Sequence, residues 1–91
     1  MSTANSDLSL DFTTLVLSLR QSALLLLGAA ESDDGVDVPV DLAGARYQID
    51  ILALLESKTR GNLSDDEGRL LETVLYELRV AFVEASEGEA S

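Results

Sequence analysis

The sequence predicts an all-α fold: a three-helix antiparallel bundle, completed by homodimerisation. Three observations lead there. Apolar residues recur at spacings of three and four through three segments, at about 11–27, 42–58 and 65–83. Glycines and helix-capping residues stand at the ends of those segments. The chain has 91 residues, enough for one domain, and 46% of them are hydrophobic, too many for a disordered chain despite a net charge of −11.

The first helix starts at Asp11, which can cap it, and runs to about Leu27. Phe12, Leu15, Leu19, Ala23 and Leu26 form its apolar face, flanked by Val16 and Leu27, and Gly28 is a natural stop. A second ridge remains on it: Leu17 and Leu24, with Leu25 further round. The acidic stretch 29–41 follows, holding five carboxylates and the only proline. It does not fit a calcium loop, because Gly35 falls fifth counting from Glu31 and third counting from Asp33, where the pattern needs it sixth.

The second helix runs from about Leu42 to Lys58 with Asp41 as its cap. Leu42, Ala45, Ile49, Leu52 and Ala53 make one face, while Tyr47, Ile51, Leu54 and Leu55 make another. The next ten residues, "KTRGNLSDDE", read as a corner. Lys58 suits the negative end of a helix dipole, and Gly61 fits the left-handed position past a helix end. Ser64 with Glu67 three residues later is the S-x-x-E capping box that opens the third helix. Along that helix Leu70, Leu71, Val74, Leu75, Leu78, Ala81 and Phe82 form one stripe, and Tyr76, Val80 and Val83 a smaller patch elsewhere. The ends, 1–10 and 85–91, are small and polar and read as disordered tails around a domain at 11–84.

Composition also bounds the chemistry. With no Cys and no His, disulfides are excluded and the usual transition-metal ligands are missing. No G-x-S-x-G or phosphate-cradling glycine loop is present, and the paired acids Asp33 and Asp34 lie in a loop. No enzyme is expected, and no catalytic, cofactor-binding or metal-ligating residue is assigned. An acidic surface repels phosphate backbones and anionic lipid, which argues against nucleic acid and membrane as partners. The most apolar segment carries Arg20 and Gln21 at its middle, so it reads as a core helix and not a span. The N-terminus has no basic region before its apolar stretch, so the expected location is cytoplasmic.

"DFTTLVLSLRQSALLLLG" at 11–28 and "ARYQIDILALLESKTRGNLSDDEGRLLETVLYELRVAFVE" at 45–84 resemble the small bacterial proteins of domain-of-unknown-function family 1844. The K-T-x-G-N-L corner, Lys58 to Leu63, is the most specific part of the likeness. The resemblance implies a bacterial, cytosolic, all-helical protein and supplies no catalytic residues. Gly44 and Gly68 depart from that pattern, which has good helix formers there. Each costs about 0.5–1 kcal/mol against Ala; Gly44 is expected to admit a close helix approach, and Gly68 has no sequence-level account.

Surplus apolar surface is the main functional clue. Leu17, Leu24 and Leu25 on the first helix, Tyr47, Ile51, Leu54 and Leu55 on the second, and Tyr76, Val80 and Val83 on the third exceed what three helices need for one core. They form the expected self-association or partner surface, with a dimer as the expected oligomer and a protein partner beside it. Lys58 and Arg60 are the polar residues at the corner that capping does not fully require. The function expected is that of a non-enzymatic interaction or adaptor protein. The alternatives are a small-ligand or divalent-cation module using the acidic loop 31–41 and, more weakly, an acidic regulator that binds a basic partner protein.

Overall fold

A computed structural model describes residues 11–30 and 39–90. It contains three helices: α1 (Phe12–Leu26), α2 (Leu42–Lys58) and α3 (Asp65–Ala90). Each helix packs on both others. The chain runs up, down and up, so α1 and α3 are parallel and α2 is antiparallel to both. The segments 1–10 and 31–38, which include the expected N-terminal tail and most of the acidic loop, lie outside the described residues.

The helix ends form where short-range chemistry places them. The Thr14 backbone N–H donates to Asp11 Oδ1 at 2.8 Å, which satisfies one of the open donors of the first turn. α1 closes with the Ala29 N–H on the Leu24 carbonyl at 2.9 Å and the Gly28 N–H on the Leu25 carbonyl at 3.1 Å. This six-to-one closure needs a left-handed residue, and Gly28 supplies it with φ 75°. A Cβ there would also meet Val40 Cγ2 at 3.1 Å. α2 opens on Asp41, whose Oδ1 accepts from the Gly44 N–H at 2.9 Å. The Asp41 N–H in turn donates to the Leu26 carbonyl at 2.8 Å and ties the start of α2 to the end of α1.

The core is aliphatic. Val16, Ala23, Ala45, Ile49, Leu52, Leu71, Val74, Leu75 and Leu78 are buried, with Leu27 beside them. Phe12, Leu19, Leu63, Leu70 and Phe82 pack around this centre while keeping some exposure. On α2 and α3 the buried residues lie on the expected stripes. On α1 the centre of burial is Val16, Ala23 and Leu27, while Phe12, Leu15, Leu19 and Leu26 are half-buried.

One expectation changes and one holds. α3 continues to Ala90, past the expected end at Val83 and through most of the expected tail 85–91. Val83 is the last large apolar residue, but Glu84, Ala85, Glu87 and Ala90 are good helix formers and no proline stops them. Gly44 does accommodate a close neighbour: a Cβ there would stand 3.3 Å from Leu26 Cδ1 of α1. The tighter contact, at 2.5 Å, is with Oδ2 of its own cap residue Asp41.

Candidate functional site

The corner between α2 and α3 is built from its own side chains. Thr59 Oγ1 donates to the Leu55 carbonyl at 2.6 Å, and the Thr59 N–H donates to the same carbonyl at 2.9 Å, closing the last turn of α2. Gly61 turns the chain with φ 85°, and the Asn62 N–H reaches the Thr59 carbonyl at 2.8 Å. The capping box is reciprocal: the Glu67 N–H donates to Ser64 Oγ at 3.1 Å, and the Ser64 N–H donates to Glu67 Oε1 at 2.9 Å. Asp65, Asp66 and Glu67 stand at the positive end of the α3 dipole.

An open hollow of about 480 Å³ lies at this corner, lined by Arg60, Thr59, Glu56, Gly68 and Arg69 among others. Gly68 borders it, and a Cβ on Gly68 would meet nothing within 4 Å. Arg60 and Lys58 are exposed, and neither makes an ion pair among the described residues. The hollow mixes both charge signs, so it has no defined preference for an anion or a cation.

The outer side of α3 is different in kind. Tyr76 is 71% exposed, Val83 53% and Val80 39%. A groove of about 360 Å³ runs beside them between α1 and α3, lined by Arg20, Leu24, Tyr76, Glu77, Val80 and Ala81, with Glu84 at its end. Leu24 forms an apolar wall of the groove. Arg20 Nε donates to Glu77 Oε1 at 2.9 Å and bridges the two helices where the groove runs. Both partners are partly solvated, so the pair sets the register of the helices more than it stabilises them. Leu17, exposed, stands one heptad before Leu24 on the same face of α1.

The ten apolar residues expected at a partner surface separate into two classes. Leu17, Tyr47, Leu54, Tyr76, Val80 and Val83 are exposed. Leu24, Leu25, Ile51 and Leu55 are half-buried, and Leu24 and Leu55 pack on the core. Tyr47 and Leu54 point outward from α2, away from the helix face that meets α3 through Ile49 and Arg46. The structure therefore brings Leu24, Tyr76, Val80 and Val83 to one edge, with Leu17 a heptad before Leu24 on α1, and sets Tyr47 and Leu54 on another. Sequence reading missed the Arg20–Glu77 bridge, which joins residues 57 positions apart. It also missed Val40, exposed at 44%.

Electrostatics adds little chemistry. Among the described residues no polar or charged side chain is buried, and no group of three or more His, Cys, Asp or Glu is placed to hold a metal ion. The Asp11 carboxyl is held below its ordinary value of 3.8 by the Thr14 backbone N–H, which favours the charged form, with the Thr14 hydroxyl assisting. That is a cap at work. Among the described residues no helix is long and apolar enough to cross a membrane.

No curated protein and no solved structure shows significant similarity to the chain. The family described as "Domain of unknown function (DUF1844)" matches residues 9–84, which takes in all of α1 and α2, the capped corner, and α3 as far as Glu84. With that span covering most of its length, the chain belongs to the DUF1844 family.

Proposed function

We propose that this is a cytoplasmic, non-enzymatic interaction protein that self-associates as a dimer and presents its surface to a protein partner. One observation carries the reading: in a domain this small, Tyr76, Val80 and Val83 remain exposed together along α3, beside a groove walled by Leu24. Contiguous apolar surface of that kind marks interaction sites in soluble proteins. A domain of this size buries only roughly 60% of the surface its unfolded chain exposes, so covering the edge with another chain adds stability it otherwise lacks.

The test is sedimentation velocity across a micromolar concentration series, paired with capture from native lysate. Self-association, together with one partner held in stoichiometric amount, is the expected result. A single monomer at every concentration with no stoichiometric partner contradicts the reading.

A further inference from the structure

α3 carries a second heptad stripe, on the side opposite its buried one. Arg69, Thr73, Tyr76, Val80, Val83 and Glu87 follow one another at spacings of four, three, four, three and four. All six are exposed. This is the spacing of an a/d seam, which in a coiled coil faces another helix. The stripe lies on the outer side of α3, since Leu71, Val74, Leu75 and Leu78 hold the inward side, and its edges border α1 at Leu24 and α2 at Arg46.

We propose that the occupant is a second copy of this chain, with α3 packed antiparallel on its copy about a two-fold axis level with Leu78. The proposal rests on the self-association reading above and assigns its geometry. Any a/d stripe laid antiparallel on itself sets each a position opposite a d position of the copy. What is particular here is the content of those positions. With the axis at 78, Tyr76 meets the copy's Val80, Thr73 meets the copy's Val83, and Arg69 meets the copy's Glu87. The apolar residues fall together at the centre, and opposite charges fall together at both ends. A parallel pairing in register would instead set Arg69 on Arg69 and Glu87 on Glu87.

Charge selects this face as well. Two copies carrying −11 each repel. The six seam residues are neutral together, with one Arg and one Glu, and the acids Glu77 and Glu84 that flank them are partly offset by Arg79. The stripe on α2 is the rival. Tyr47, Ile51, Leu54 and Lys58 share a similar spacing, but the run is shorter, Ile51 is half-buried, and reversal sets Lys58 opposite Tyr47 with no acid to meet it. The seam on α3 is also continuous with the groove walled by Leu24, so α1 widens the contact on one side. Two features oppose the arrangement: Arg79 and Glu77, one residue on either side of the axis, each approach their own copies. Both are exposed, where like-charge repulsion is weak.

The chain has no cysteine, so single cysteines can map the contact in the full-length protein. With the axis at 78, position 79 lies about 3 Å from its copy along the helix direction, and position 69 lies about 27 Å from its own copy but level with position 87 of the other chain. Arg79→Cys, treated with a short bis-maleimide, is expected to give covalent dimer by itself. Arg69→Cys and Glu87→Cys are expected to give it only when the two variants are mixed, and Leu54→Cys to give none. All four substitutions are at exposed positions, and circular dichroism confirms that each variant folds. A second arm uses charge. Arg69→Glu is expected to weaken self-association about three- to tenfold, and Glu87→Arg in the same chain to restore it. A sedimenting dimer that links through Leu54→Cys, or through Arg69→Cys alone, overturns the geometry and leaves self-association standing. A monomer at every concentration overturns both.

Discussion

The two faces of α3 make an instructive pair. The inner face carries Leu71, Val74, Leu75 and Leu78, all buried against α1 and α2. The outer face carries Tyr76, Val80 and Val83, exposed on the same helix within the same turns. Both are apolar stripes at heptad spacing, yet the fold requires only one of them. The inner stripe is explained by burial: each large side chain removed from water contributes roughly 1.5–3 kcal/mol, and no bundle forms without it. The outer stripe contributes much less of that kind to the isolated chain, since each of its three apolar residues stays substantially exposed. Its apolar content therefore points to something outside the chain, and the two faces should answer mutation in opposite ways.

The largest effect belongs to the inner face. Leu78→Ala leaves a cavity at a fully buried site and is expected to cost ~2–5 kcal/mol, seen as a large fall in melting temperature at any protein concentration. On the outer face, Val80→Asp should do the reverse. Self-association should weaken by at least about tenfold, since a charge is set into the seam. The melting temperature of the dilute protein should barely move, because surface substitutions usually stay within about 0.5 kcal/mol. If Val80→Asp unfolds the dilute chain, the distinction between the faces fails.

Smaller changes sharpen the contrast by testing positions that serve only the fold. Ser64→Ala removes the hydroxyl that accepts from the Glu67 N–H and is expected to cost about 0.5–2 kcal/mol with no effect on self-association, by chemical denaturation and sedimentation in parallel. Gly68→Ala is expected to stabilise by about 0.5–1 kcal/mol, because a Cβ there meets no neighbouring atom and helix propensity rises. A loss of partner binding in Gly68→Ala would instead mark the corner hollow as occupied. The smallest effect is at Asp11. Its carboxyl is held low in the folded chain, so its contribution is present above the unfolded value and is lost as pH falls through the folded one. Asp11→Asn keeps a capping oxygen without the charge, and should remove a small part of the acid-side pH dependence of the melting temperature.

How much of this is legible in sequence depends on range. Asp11, Asp41 and the Ser64–Glu67 box act within three residues of themselves, and their roles can be read directly. The buried stripes of α2 and α3 follow from period alone. The end of α3 does not, because its last apolar residue, Val83, precedes the helix end and the continuation rests on propensity. Exposure is harder still. Leu24 and Leu17 look equivalent in sequence, seven apart, yet Leu24 packs on the core and Leu17 does not, since only the position of α3 decides it. The bridge from Arg20 to Glu77 carries no local sign at all. The outer seam was readable in part: Tyr76, Val80 and Val83 stand out by hydrophobicity, while Arg69, Thr73 and Glu87 join them only once the stripe is known to face outward.

Partner class divides the same two faces. A basic partner held by the acidic surface should dissociate as salt is raised, because screening removes its attraction. Self-association through an apolar seam between like-charged chains should persist in the same titration. The most direct measurement compares the wild-type chain and Val80→Asp by sedimentation velocity, side by side over a micromolar concentration series in moderate salt. The account predicts that the wild type moves from monomer to dimer as concentration rises while Val80→Asp, folded to the same helicity, stays monomeric. Two proteins that sediment alike at every concentration would contradict it.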